Sequence, residues 1–275
     1  MSDGARTKRM VVGALLGVCL SVGLLYLLFR SFSHEWLAYQ ERLLELRWWW
    51  VVGVVISTAL HCQITAHKWR IVTLTIEADG DLGRGLFAMY SAFIALLGQV
   101  IPLQLAILAG RSIALRLHAD IPMRRGAYGA IFDQGFDVLV PAILIVPGLL
   151  YFLGYVGALT AATFSILLAT AIAAVLYLQG AWVVRQALDF AERIMPTSYS
   201  KRLGLRRIID APEDTFDNAI LSRLYLWSAI RCANLVLRAW LVAWCFHLDI
   251  SWIALLYGHC AVTFTLVLSL IPGGL

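Results

Sequence analysis

Apolar positions gather into seven long runs, at residues 10–29, 48–66, 86–108, 127–153, 155–179, 224–247 and 252–271. About 20 apolar residues in a helix cross a hydrocarbon core of about 30 Å, so the pattern predicts helices that span a membrane. Trp48, Trp49 and Trp50 open the second run, and Trp182, Trp227 and Trp252 lie near the ends of others. Such amphipathic rings favour the headgroup level, which reads them as interfacial anchors.

The polar stretches between the runs set the orientation, because loops rich in Lys and Arg stay cytoplasmic. Arg6, Lys8 and Arg9 place the N-terminus inside; Lys68, Arg70 and Arg84 mark the second loop inward; Arg111, Arg116, Arg124 and Arg125 mark the next connection. Residues 185–223 add Arg193, Lys201, Arg202, Arg206 and Arg207. If 86–108 crossed fully, both later basic stretches would fall outside. The conflict disappears if this run enters from the cytoplasm, breaks at Pro102 and returns to the same side, since proline removes an N–H and clashes with the preceding turn. Irregular backbone at that depth is tolerated only where it is buried in protein or lines a wet cavity, so Pro102 marks a candidate pathway.

A second break follows the last run, at Pro272, Gly273 and Gly274. It stands 170 positions after the first (272 − 102), a pairing of the kind found in repeat-built transporters; the plainer alternative is that Pro and Gly end the last helix. The natural protein is expected to continue beyond Leu275. The predicted fold is therefore all-α, a polytopic membrane helix bundle with about six spanning helices and one or two Pro-broken re-entrant helices. Residues 30–47 keep Trp36, Leu37, Leu43 and Leu44 at helical spacing and predict a helix lying on the outer surface.

Composition agrees: 61% of the 275 residues are apolar and 14% charged, against about 45–50% and 25% in soluble domains, which excludes an ordinary water-soluble protein. A single membrane domain over 1–275 is expected, with 185–223 as a cytoplasmic connecting segment. The net charge of +5 is distributed as loop anchors, so no nucleic-acid partner is called for. The five cysteines (Cys19, Cys62, Cys232, Cys245, Cys260) lie in apolar stretches without C-x-x-C spacing, and neither a metal nor a disulfide framework is indicated. The first run lacks a cleavage site and reads as an uncleaved span. Phosphate-binding loop, serine-hydrolase and kinase signatures are absent, and no cofactor is indicated.

Ionisable groups inside the membrane are functional candidates by default. Asp133 and Asp137 are spaced i, i+4 on one helix face. Arg231 and Arg238 lie seven apart on the sixth run, with Asn234 between them on the same stripe. At 1.5 Å per residue, Asp133 and Arg231 lie about 12 Å from the cytoplasmic end, Asp137 about 18 Å and Arg238 about 22 Å. The acidic and basic stripes overlap in depth. They fit either an ion-pair network that fixes helix register or a guanidinium clamp for a phosphate. Arg111, just past the first break, fits a lipid-phosphate contact or an inner-face anchor. His61, Gln63, His67, Gln99 and His259 add polar character without metal-ligand spacing.

Pro102, Arg111, Asp133, Asp137 and Pro272-Gly273-Gly274 follow an order that resembles the transmembrane part of the lysylphosphatidylglycerol synthetase/flippase-like family of bacterial membrane proteins. Ala106, Ile107 and Leu108 stand where that family usually has Gly and an acidic residue, and Gln134 where it often has Arg. The resemblance implies a multi-pass protein of the bacterial inner membrane with lipid translocation as its role, and no aminoacylation, which resides in a separate soluble domain. The expected function is thus a flippase, more transporter than enzyme. It would hold the charged headgroup of a membrane lipid at Arg111, Asp133, Asp137, Arg231, Asn234 and Arg238, in a cavity shaped by the two Pro breaks. Two alternatives stay open: a membrane-embedded transferase using Asp133 or Asp137 as general base on a lipid or lipid-linked substrate, and a non-catalytic partner of a lipid-biosynthetic enzyme docking through 185–223.

Overall fold

A computed structural model describes residues 45–76, 82–98, 100–101, 103–194 and 217–268. Within them the regular structure is entirely helical: α1 (Trp48–Ile76), α2 (Arg84–Leu97), α3 (Leu103–Ala119), α4 (Met123–Phe152), α5 (Ala158–Ile194), α6 (Asn218–Cys245) and α7 (Trp252–Leu268). Stretches of α1, α4, α5 and α6 are each long and apolar enough to cross a membrane. The first apolar run, the surface helix expected over most of 30–47, the second break at Pro272, Gly273 and Gly274, and Pro102 itself lie outside the described residues.

Several boundaries differ from the hydropathy reading. The run ending at Ala66 continues as helix to Ile76, so Lys68 and Arg70 are helical rather than part of a loop. The apolar Ile71–Ile76 turn resumes the pattern after the basic interruption. The run 86–108 becomes two helices of 14 and 17 residues, because the chain turns at 98–101, where the Gly98, Val100 and Ile101 N–H groups close back on α2 carbonyls. α3 then runs well past Leu108. At the other end, α5 extends to Ile194 and α6 starts at Asn218, which narrows the connection between them.

α2 and α3 form an antiparallel hairpin. Gly98 meets Leu103 near the turn, Ile94 packs on Gly110 below it, and Tyr90 hydrogen-bonds His118 at 3.0 Å near the open end. α1 and α6 are likewise antiparallel: Trp50 packs on Trp240 and Trp244, Gly53 on Leu241, and the His67 ring lies 4.6 Å from that of Trp227. α4 stands at the centre, packed against α1, α3, α5, α6 and α7. Its first half buries Gly126, Gly129 and Ala130, small residues that let a neighbouring backbone approach closely. Large apolar side chains such as Val52, Val55, Ile56, Leu159, Ile166 and Leu167 point outward instead. In water that surface would be an association hazard; in lipid it is the expected exterior.

Gly126 sets the spacing of α3 and α4. A Cβ there would sit 2.9 Å from the Ser112 Cα, a backbone atom that moves only with its helix. Gly126→Val is therefore expected to destabilise the protein by about 1–3 kcal/mol through overpacking. A lower melting midpoint, measured by fluorescence-detected size exclusion after heating, checks this. Gly135→Ala is the control, since nothing lies within 4 Å of its Cβ position; it should leave the midpoint unchanged or raise it, because Ala favours helix.

α5 bends at Gln179, whose φ of −139° departs from helix. The Leu178 carbonyl and the Ala181 N–H flank this bend. The Asn218 side chain meets both, donating to the carbonyl at 3.1 Å and accepting from the N–H at 2.9 Å. Leu178, Gln179, Ala181, Trp182 and Asn218 line an open groove of about 420 Å³ at this bend.

Candidate functional site

The centre of the bundle holds a chain of charges contributed by four helices. Asp133 and Asp137 project from the same face of α4, one turn apart. Arg111 from α3 donates through Nη1 to Asp133 Oδ2 at 2.6 Å. Lys68 from α1 sits between the carboxylates: it hydrogen-bonds Asp137 Oδ1 and faces Asp133 Oδ1 at 3.1 Å. The latter is an ion pair without hydrogen-bond alignment, because Asp133 Oδ1 makes no hydrogen bond. Arg231 from α6 reaches Asp137 Oδ2 at 2.6 Å. Ser228 Oγ donates to Asp137 Oδ1 at 3.0 Å, and Gln134 Nε2 to Oδ2 at 3.4 Å. The sequence of contacts reads Arg111, Asp133, Lys68, Asp137, Arg231.

These groups are enclosed. Side-chain exposure is 0% for Lys68, 1% for Arg111 and Asp133, 6% for Asp137 and 13% for Arg231. The Arg111 guanidinium also lies 5.4 Å from the Trp69 ring centroid, a cation–π contact, and Trp69 is held edge-on against Phe87 of α2. The hairpin thereby fixes the Arg111 end of the seam.

Burial of so many charges does not by itself stabilise the bundle. Opposite charges at 4 Å attract by about 4 kcal/mol at an effective dielectric near 20. Removing each ion from water costs several kcal/mol, so a buried pair is often no better than well-packed apolar residues. Two N–H donors moreover stay buried without a partner, Arg111 Nη2 and Arg231 Nε. Within α4, Pro141 has no N–H for the Asp137 carbonyl four residues earlier, which frees a backbone acceptor beside the seam.

Of the residues singled out in the sequence, Arg111, Asp133, Asp137 and Arg231 come together. Asn234 lies apart. Its amide Nδ2 donates to the Ser57 carbonyl at 3.0 Å and its Oδ1 accepts from Ser57 Oγ at 3.1 Å, which joins α6 to α1. Arg238 is half-buried one further turn along α6 and makes no ion pair among the described residues. Lys68 is the residue that hydropathy missed. Its signal was helical spacing, for Ser57, His61 and Lys68 stand at i, i+4 and i+11 on one stripe of α1. Of the lesser polar residues, Gln63 and His67 are exposed. His61 turns a buried, unpartnered Nδ1 inward, while His259 lies 3.5 Å from Thr263. Gln99 lies outside the described residues.

Comparison with known families matches residues 14–275 to a model described as the lysylphosphatidylglycerol synthase TM region. Curated proteins and solved structures returned no match.

Proposed function

Because the chain belongs to the lysylphosphatidylglycerol synthase TM-region family and is a multi-pass membrane protein, we propose that it carries a lipid with a charged headgroup across the bacterial inner membrane. The observation that supports this most is the buried Arg111–Asp133–Lys68–Asp137–Arg231 seam, which spans α3, α4, α1 and α6. Fixed charges there replace the headgroup's hydration, and exchange of partners between Lys, Arg and Asp lets the lipid leave again. The acyl chains stay in lipid.

The α2–α3 hairpin fits a re-entrant element in this reading. At 1.5 Å per residue its helices are about 21 and 26 Å long, short of a core of about 30 Å. Arg84 opens α2, and Arg116 and His118 close α3, so the basic ends share one side of the hairpin. With the hairpin entering from the cytoplasm, the four longer helices α1, α4, α5 and α6 alternate across the membrane and the basic ends of α2 and α3 fall on the cytoplasmic side.

A transferase is supported less well. Asp133 and Asp137 each face two cationic side chains, and a carboxylate so paired is a poor general base. The segment through which an enzyme partner would dock lies largely outside the described residues.

The full chain reconstituted into vesicles with a fluorescent charged phospholipid provides the test. Translocation is read as the fraction of label bleached by an impermeant reductant. Labelled lipid should become accessible faster than in protein-free vesicles. Equal rates for every charged headgroup tried would sink the carrier reading.

A further inference from the structure

We infer that the bundle binds water between α1 and the α2–α3 hairpin, at a closed polar site formed by Thr65 and Ser91 and continued by Arg111 and Asp133. Helix register brings the first two together. α1 and α2 are consecutive, in contact and joined by a short connection (77–83), so they pack antiparallel. Trp69 of α1 meets Phe87 of α2 with ring centroids 4.9 Å apart. One turn back along α1 and one turn on along α2 stay level with each other, and those steps end on Thr65 and Ser91. Both hydroxyls are buried, and neither has a hydrogen-bond partner among the described residues. A helical Ser or Thr can turn its hydroxyl to the carbonyl one turn back, as Thr58, Thr75, Ser112 and Thr170 do at 2.8, 2.9, 2.6 and 2.7 Å. Thr65 and Ser91 make no such bond.

Trp69 joins this pair to the hairpin end of the seam, since it stands one turn from Thr65 and its ring lies 5.4 Å from the Arg111 guanidinium. Arg111 Nη2 and Asp133 Oδ1 are also buried without a hydrogen bond, so four of the seven such atoms in the described structure gather in this corner. Their chemistry selects the occupant. The two hydroxyls donate and accept, Arg111 Nη2 only donates, and Asp133 Oδ1 only accepts. A cation would meet Arg111 and Lys68, which lies 3.1 Å from Asp133 Oδ1, and an anion would meet the Asp133 carboxylate. An apolar guest would leave all four groups unsatisfied. Water both donates and accepts, and a buried water ordinarily makes about three hydrogen bonds to groups of this kind. Such a site needs no open mouth, because brief local opening lets the water exchange. It gives the hairpin and α1 a wet contact, independent of what the bundle carries.

The experiment exposes the full chain in lipid nanodiscs to X-ray pulses in water enriched in oxygen-18. Bound water then yields hydroxyl radicals that label adjacent side chains, read by mass spectrometry and corrected for each residue's rate in the denatured chain. Trp69 and Phe87 flank the site yet are each 1% exposed. Tyr257 supplies the background of a dry buried ring: it is 2% exposed and its hydroxyl is engaged by Ser165 at 2.8 Å. Trp69 and Phe87 should be labelled severalfold faster than Tyr257. Thr65→Val combined with Ser91→Ala removes both hydroxyls with little change of shape and should bring that labelling down toward the Tyr257 level. Ser91→Ala alone, the milder change, should lower it part of the way. Labelling of Trp69 and Phe87 no faster than that of Tyr257 would overturn the proposal, and so would rapid labelling left unchanged by these substitutions.

Discussion

Lys68→Ala is expected to destabilise the bundle by about 3–5 kcal/mol, the cost of removing one partner from a buried ion network. Lys68 is fully enclosed and touches both carboxylates. Without it Asp133 and Asp137 face each other one turn apart, each with a single arginine. The melting midpoint by fluorescence-detected size exclusion should fall sharply, with much of the protein aggregated before heating. Combining Lys68→Ala with Asp137→Asn should recover part of the loss, because the second change removes the carboxylate that the first leaves short of charge. A cycle of these variants isolates the coupling between the two residues. Arg116→Ala, which breaks the exposed Arg116–Asp120 pair at 2.8 Å, sets the scale for comparison. Exposed pairs of this kind contribute about 0–1 kcal/mol. A Lys68→Ala midpoint no lower than that of Arg116→Ala would show that the lysine is not needed to balance the carboxylates.

The second large effect is a split between binding and transport in Asp137→Asn. The amide keeps the shape of the side chain and an oxygen for Ser228, but it no longer balances Lys68 and Arg231. Surplus positive charge in the seam rises from one (3 − 2) to two (3 − 1). An anionic headgroup should then be retained more strongly in detergent yet cross vesicles at least about tenfold more slowly, a barrier increase of about 1.4 kcal/mol. Paired native mass spectrometry and vesicle assays read the two quantities. A fall in both, tracking a fall in melting midpoint, would reduce Asp137 to a structural role.

Local periodicity carried much of the site. The i, i+4 spacing of Asp133 and Asp137 determines that they share a face of α4, and a count of residues along the sixth run places Arg231 at comparable depth. Depth alone pairs Arg231 with Asp133, at the same depth of about 12 Å; the pairing with Asp137 instead comes from how α6 lies on α4, which no local pattern encodes. Pro102 signalled the reversal between α2 and α3. What it could not signal was that the return helix runs on to Ala119, because Arg111 and Arg116 look like the end of an apolar run. Lys68 was hidden for the same reason. Hydropathy averages along the chain, so a lysine neutralised by carboxylates more than 60 positions away reads as a boundary with water. Asn234 shares the basic stripe in sequence, yet Ser57 satisfies it, and only packing against α1 reveals that.

The bend at Gln179 has a mechanical side. Since the Asn218 amide bridges the bend of α5 from the first residue of α6, the arm of α5 after Gln179 and the root of α6 are tied together as a single lever. Arg231 is thirteen positions up that lever (231 − 218). A tilt imposed on residues after Gln179 would therefore be carried through Asn218 along α6 to the contact between Arg231 and Asp137.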